Sequence, residues 1–226
     1  MVVAAVVSAL VAGGALVAAA VVRDRGETAA TPTSSPAPTT SGVGLDGCLV
    51  KPCQVLATVP IGGTVVELVA DAGARSGRLR IGGAGSSDVI EVTITDHGAT
   101  LTPESLQCVS GTLAACVVRG QVTGGNTEAQ VVVGRTGKWS DRGTPYVSDA
   151  GYLALADLMP DVGPEIVAVQ HRCDRATTAD CSATKVFAEV YSLVGAKLGC
   201  TRTYTRLDSM PGYPNVDLAD AALDPC

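Results

Sequence analysis

The residues most able to do chemistry in this chain are eight cysteines, Cys48, Cys53, Cys108, Cys116, Cys173, Cys181, Cys200 and Cys226, and two histidines, His97 and His171. Zinc binding calls for paired two-residue cysteine spacings and for histidines; these spacings are wider, and two histidines are all there are. A thiol oxidoreductase needs Cys-x-x-Cys at a helix start, whereas Cys48-Leu49-Val50-Lys51-Pro52-Cys53 sets its sulfurs further apart. An even number of cysteines predicts disulfides instead. Neighbours along the chain form four local pairs: Cys48–Cys53, Cys108–Cys116, Cys173–Cys181 and Cys200–Cys226. The last would hold down the end of the sequence, where a chain otherwise frays.

Catalytic motifs are absent. No Gly-x-Ser-x-Gly elbow occurs, and His97, beside Asp96, and His171, beside Arg172 and Cys173, have nothing nearby in sequence to complete a triad. Both are read as exposed polar residues. The run Gly134-Arg135-Thr136-Gly137-Lys138-Trp139-Ser140 fails as a phosphate loop: Val132 stands where the first glycine belongs, and Trp139 separates lysine from serine. Gly82-Gly83-Ala84-Gly85 lacks a following helix and reads as a turn. Trp139, Tyr146 and Tyr152 are candidates for stacking on a glycan, with core packing as the competing role.

The elements that must position these residues are strands. Apolar runs come in short bursts bounded by Gly, Pro, Asp or Ser: Val65–Ala70, Arg78–Ile81, Val89–Thr95, Ala115–Arg119, Ala129–Val133, Tyr152–Ala156, Ile166–Val169 and Val186–Leu193. With one Phe and one Trp, the core has to be built from Val, Leu, Ile and Ala. The expectation is an all-β, antiparallel ectodomain, propeller-like or another small β architecture, with four local disulfides. Tyr152–Met159 could form one helical turn and Val216–Leu223 a short helix. A loose repeat, a strand closed by a glycine turn at Gly73, Gly98, Gly137 or Gly195, suits repeated hairpins. The step from Gly98 to Gly137 is near the ~40 residues of a propeller blade.

Residues 152–170, Tyr-Leu-Ala-Leu-Ala-Asp-Leu-Met-Pro-Asp-Val-Gly-Pro-Glu-Ile-Val-Ala-Val-Gln, resemble the FG-GAP type repeat of integrin-like β-propellers, where a strand enters an acidic loop and a second strand follows. The resemblance implies Ca²⁺ held by Asp157, Asp161 and Glu165 at the first, fifth and ninth loop positions, with a carbonyl near Gly163. Met159 stands at the third position, and the glycine falls one place later than in the family pattern. The competing reading is a tight acidic turn stiffened by Pro160 and Pro164.

Charge and the N-terminal region set the context. Net charge is −6 with basic residues scattered among acids, which argues against a nucleic-acid partner. Arg75, Arg78 and Arg80 read as one solvated strand face. Residues 1–22 carry no charge and have the length of a transmembrane helix; Ala18-Ala19-Ala20 offers cleavage and secretion as the alternative. Residues 23–45 form a Thr/Ser/Pro-rich disordered linker, and 46–226 the extracytoplasmic domain. Arg23 and Arg25 follow the helix, opposite to the positive-inside rule, so a start upstream of Met1 is expected. Leu45-Asp46-Gly47-Cys48 is not read as a lipoprotein box, because the stalk separates it from the apolar run. Together these features predict a membrane-anchored, extracytoplasmic module of the cell envelope that binds an envelope protein or glycan. The alternatives are an envelope hydrolase with a noncontiguous site and a structural or sensory ectodomain.

Overall fold

Val-rich runs broken every few residues by glycine can bury both faces of a strand but cannot extend it, and the chain folds accordingly. The computed structural model describes residues 49–84, 86, 88–159, 163–173 and 180–226. Among these the regular structure is strand, with short 3-10 turns. Sheet 1 runs β1 (Gln54–Ile61), β2 (Thr64–Ala70), β3 (Gly77–Ile81), β4 (Asp88–Glu91). Sheet 2 runs β5 (Leu106–Val109), β6 (Ala114–Gln121), β7 (Thr127–Arg135), β8 (Lys138–Asp141), with β9 (Tyr146–Ser148) also pairing β7. Sheet 3 runs β10 (Leu153–Ala156), β11 (Glu165–His171), β12 (Val186–Tyr191), β13 (Lys197–Cys200).

Every pairing is antiparallel, and all but β7–β9 join strands consecutive along the chain. Ile61 pairs with Thr64 across Gly62 and Gly63, both at positive φ, the geometry of a two-residue turn that follows the twist of its strands. Thr136 and Gly137 repeat it between β7 and β8.

The strand period of two decides how the sheets pack. In β6, Cys116 and Val118 face sheet 1 and meet Leu68, Leu79 and Ile81, while Ala115 and Val117 face sheet 3 and meet Leu153, Ile166 and Ala168. Sheet 2 is therefore buried on both faces, which is why β6 shows no polar alternation through Ala114–Val118. The far face of sheet 3, with Val167, Val169, Ala188 and Val190, is covered by Met210, Val216 and Leu218 of the C-terminal tail. The first strands of the three sheets lie side by side, β1 against β5 and β5 against β10.

Three of the expected disulfides form, Cys108–Cys116, Cys173–Cys181 and Cys200–Cys226. The first joins directly opposed residues of β5 and β6. The third fastens the tail, next to an isolated bridge between Cys200 and Asp224. Cys53 is disulfide-bonded, and Cys48 lies outside the described residues, as do the anchor expected at 1–22 and the linker at 23–45. No helix among the described residues is long and apolar enough to cross a membrane.

Four local expectations are corrected. The strand expected to reach Thr95 stops at Glu91, and Thr93–His97 is a 3-10 turn. Gln130 explains the exit, since its side-chain amide accepts from Thr93 N and donates to Glu91 O, standing in for a partner strand. Val216–Leu223 is irregular rather than helical, and residues 153–156 are strand β10 rather than part of a helical turn. Arg78 and Arg80 are not a solvated face: they are 2% and 7% exposed, and their guanidiniums pair with Asp71 and Glu67. Glu67 lies directly across from Arg80 in the β2–β3 register, so the ladder delivers the counter-charge that makes burial tolerable.

Candidate functional site

The acidic stretch forms the connection between β10 and β11, the first turn of sheet 3. Asp157 is exposed where β10 ends, and Gly163 follows at φ 98°. Glu165 opens β11 at 2% exposure, its Oε2 accepting the backbone N–H of Leu158. Burial raises the Glu165 pKa, the Leu158 and Met159 N–H groups oppose that rise, and the Asp157 charge adds to it. Asp157 and Glu165 are thus electrostatic neighbours, while Asp161 lies outside the described residues. What the described part of the loop displays is architecture, with a buried carboxylate organising the turn's backbone. The one close cluster of metal-capable groups among the described residues is Glu189 with Cys200 and Cys226, whose sulfurs are engaged in their disulfide.

The three aromatic candidates are placed apart. Trp139 on β8 lies over Gly134, where a β-carbon would come within 2.6 Å of the indole. It packs on the core between sheets 1 and 2 and borders a cleft of about 300 Å³ with Asp88 and Val89. Tyr152 is half-buried against the tail, its hydroxyl accepting from Val216 N. Tyr146 on β9 meets a partner the sequence did not mark, Tyr191 on β12, in an edge-to-face contact with ring centroids 5.4 Å apart.

Around this pair lies a cleft of about 550 Å³, bounded by Arg142, Thr144, Pro145 and Val147 from the β8–β9 side and by Gln170, Val194 and Gly195 from sheet 3. Its polar groups are fixed. Glu189 accepts from the Tyr191 hydroxyl at 2.6 Å, from Lys197 Nζ at 2.5 Å and from Gln170 Nε2 at 3.4 Å. Gln170 also donates to Val147 O, joining the two sides, and Lys197 sits over the Tyr191 ring. Burial, then the Glu189 carboxylate, pushes the Tyr191 pKa up, so the ring is neutral in the physiological range. Val194 is 72% exposed at the rim, an apolar group left in water beside aromatic faces.

Further along the same seam, sheet 2 caps the free edge of sheet 3. β10 pairs with β11 on one side, and its outward backbone groups are met by side chains: Gln107 of β5 accepts from Leu155 N and donates to Leu155 O, and Arg119 of β6 donates to Leu153 O. Arg119 Nη1 also donates to Gln107 Oε1. Two side chains thus do the work of a missing strand.

The histidines do not form a hydrolytic site among the described residues. His97 pairs with Glu128, whose hydrogen bond and charge raise the imidazole pKa. His171 Nδ1 faces Thr184 O. Asp180 accepts from the Ser182 backbone N–H at 2.9 Å, and these contacts bring no serine hydroxyl to the His171 imidazole. Tyr191, Gln170, Gln107 and Arg119 were missed at the sequence level because each acts through a contact between sheets distant in sequence, and Glu189 because its partners come together only when β11, β12 and β13 pair. No protein-family model, curated protein or solved structure matches the chain.

Proposed function

We propose that this chain is an extracytoplasmic binding module, held at the membrane by the apolar segment 1–22 on the stalk 23–45, and that the Tyr146–Tyr191 cleft takes a glycan. The observation that carries the reading is the tyrosine pair itself. Two uncharged rings from different sheets border a cleft with fixed donors and acceptors and an exposed apolar rim, the mixture of stacking face and hydrogen-bonding edge that a sugar ring requires. Consistent disulfide pairing supports an oxidising compartment. The propeller-like reading is supported by three successive meanders of four strands, the second with β9 added beside β7, whose first strands adjoin. The FG-GAP resemblance draws support from its acidic loop linking the first and second strands of a sheet, although the corresponding turns at Gly62-Gly63 and Ser110-Gly111-Thr112 carry no carboxylates.

The test is titration of the full chain with soluble oligosaccharides, comparing wild type with Tyr146→Ala and Tyr191→Ala. Loss of roughly tenfold or more in affinity in either variant, at about the value of one stacked ring, supports the cleft. Unchanged affinity in both variants refutes it.

A further inference from the structure

Arg119 has a property that its role at the β10 edge does not use. Arg78, Arg80 and Arg206 each have a carboxylate within ion-pair distance, and Arg75, Arg135, Arg142, Arg172 and Arg202 are exposed to water. Arg119 is half-buried, and both acceptors of its Nη1 are neutral, Gln107 Oε1 at 3.1 Å and Leu153 O at 2.7 Å. No carboxylate lies within ion-pair distance among the described residues. Desolvation lowers its pKa, and the group that opposes this is the Tyr152 hydroxyl rather than an acid. A partly desolvated cation without a counter-ion is costly, and an anion of matching shape relieves that cost.

The surroundings supply the shape. Arg119 borders a cleft of about 570 Å³ with the hydroxyl-bearing residues Thr100, Thr102, Thr127 and Tyr152, and Glu104, which is exposed and outside ion-pair distance of Arg119, also lines it. Its Nη1 is occupied, whereas Nε and Nη2 have no protein acceptor among the described residues. Those two nitrogens form the side-on fork that meets both oxygens of a carboxylate. Gln107, itself held by two hydrogen bonds to Leu155, fixes the guanidinium before any ligand arrives.

We propose that this cleft binds a carboxylate-bearing ligand, with Arg119 Nε and Nη2 gripping the carboxylate and the surrounding hydroxyls contacting the rest. The site lies apart from the tyrosine cleft and shares none of its lining residues, so it stands whether or not that cleft takes a glycan. A carboxylate on a sugar and one on a peptide offer the same fork, and the probes separate them.

The experiment follows the Arg119 Nε–H resonance of the full chain during titration with glucuronate, N-acetylalanine and, as an uncharged control, glucose. The expected result is a saturable shift at about 1–10 mM with one or both carboxylates and none with glucose. Arg119→Lys keeps the charge and loses the fork, and should weaken binding about tenfold. Because Arg119 also supports β10, Gln107→Glu serves as the second variant: it places a carboxylate beside the guanidinium, and added carboxylate should then compete poorly. A larger response to glucuronate assigns the sugar acid and a larger response to N-acetylalanine the peptide terminus. No shift with either carboxylate, a shift with glucose equal to theirs, or undiminished binding in both variants overturns the proposal.

Discussion

The outer face of sheet 1 and the seam between sheets 2 and 3 both withdraw polar groups from water, and they do so in opposite ways. On the sheet 1 face each buried cation has its anion: Asp71 accepts from Arg78 Nη2, Ser76 Oγ and Leu49 N, and Glu67 accepts from Arg80. Arg78 Nε and Nη1 find no acceptor there, so the pairing is neutral in charge without being complete in hydrogen bonds. At the seam, the outer edge of β10 is held by the neutral Gln107 and the cationic Arg119, whose Nε–Nη2 fork stays unengaged, and two tyrosines in contact border a cleft. The first arrangement serves stability. The second is the arrangement on which the proposed binding rests.

The largest effect should come from breaking the paired face. Asp71→Ala strands Arg78 as a buried cation and should cost about 3–5 kcal/mol, measured by urea unfolding. An effect near zero would place the two regions on the same footing. Removing the tail staple comes next. Cys200→Ser with Cys226→Ser opens a loop of 26 residues and should cost about 3 kcal/mol, which thermal unfolding would report. At the seam, Arg119→Met should cost only about 1–2 kcal/mol, because the lost bonds to Leu153 and Gln107 are offset by relief of an unpaired charge. A loss as large as that of Asp71→Ala would mean that Arg119 is a structural cation like Arg78.

The smallest effect is a pH dependence. His97 titrates above 6.5 because of Glu128, so the contact contributes fully below that value and is lost as pH rises through the raised one. Histidine NMR titration should show the raised pKa, and His97→Gln should flatten the corresponding slope in stability. A His97 value at or below 6.5 would remove this link between the Thr93–His97 turn and β7.

Local features were legible in the sequence because their causes are local. Apolar bursts marked β2, β3, β6, β7, β10, β11 and β12, and short cysteine spacings anticipated the three pairings among the described residues. The edge strands β1, β8 and β13 escaped notice, since their exposed or mixed positions do not make an apolar burst. Arg78 and Arg80 were misjudged for a related reason: alternating charge on a strand looks the same whether water or an opposing carboxylate faces it. Tyr146 stood out as one of few aromatics, but its meeting with Tyr191 depends on how sheets 2 and 3 stack. The same stacking brings Arg119 to the edge of β10, and no spacing in the sequence encodes it.

The most direct test of the seam as the binding edge is amide NMR mapping of the full chain during titration with the oligosaccharide that binds most tightly in the Tyr146 and Tyr191 comparison. Saturable shifts should gather at Tyr146, Val147, Gln170, Tyr191 and Gly195, with the strands of sheet 1 unchanged. Shifts centred on Arg78, Arg80 and their neighbours, or the absence of any saturable shift, would contradict it.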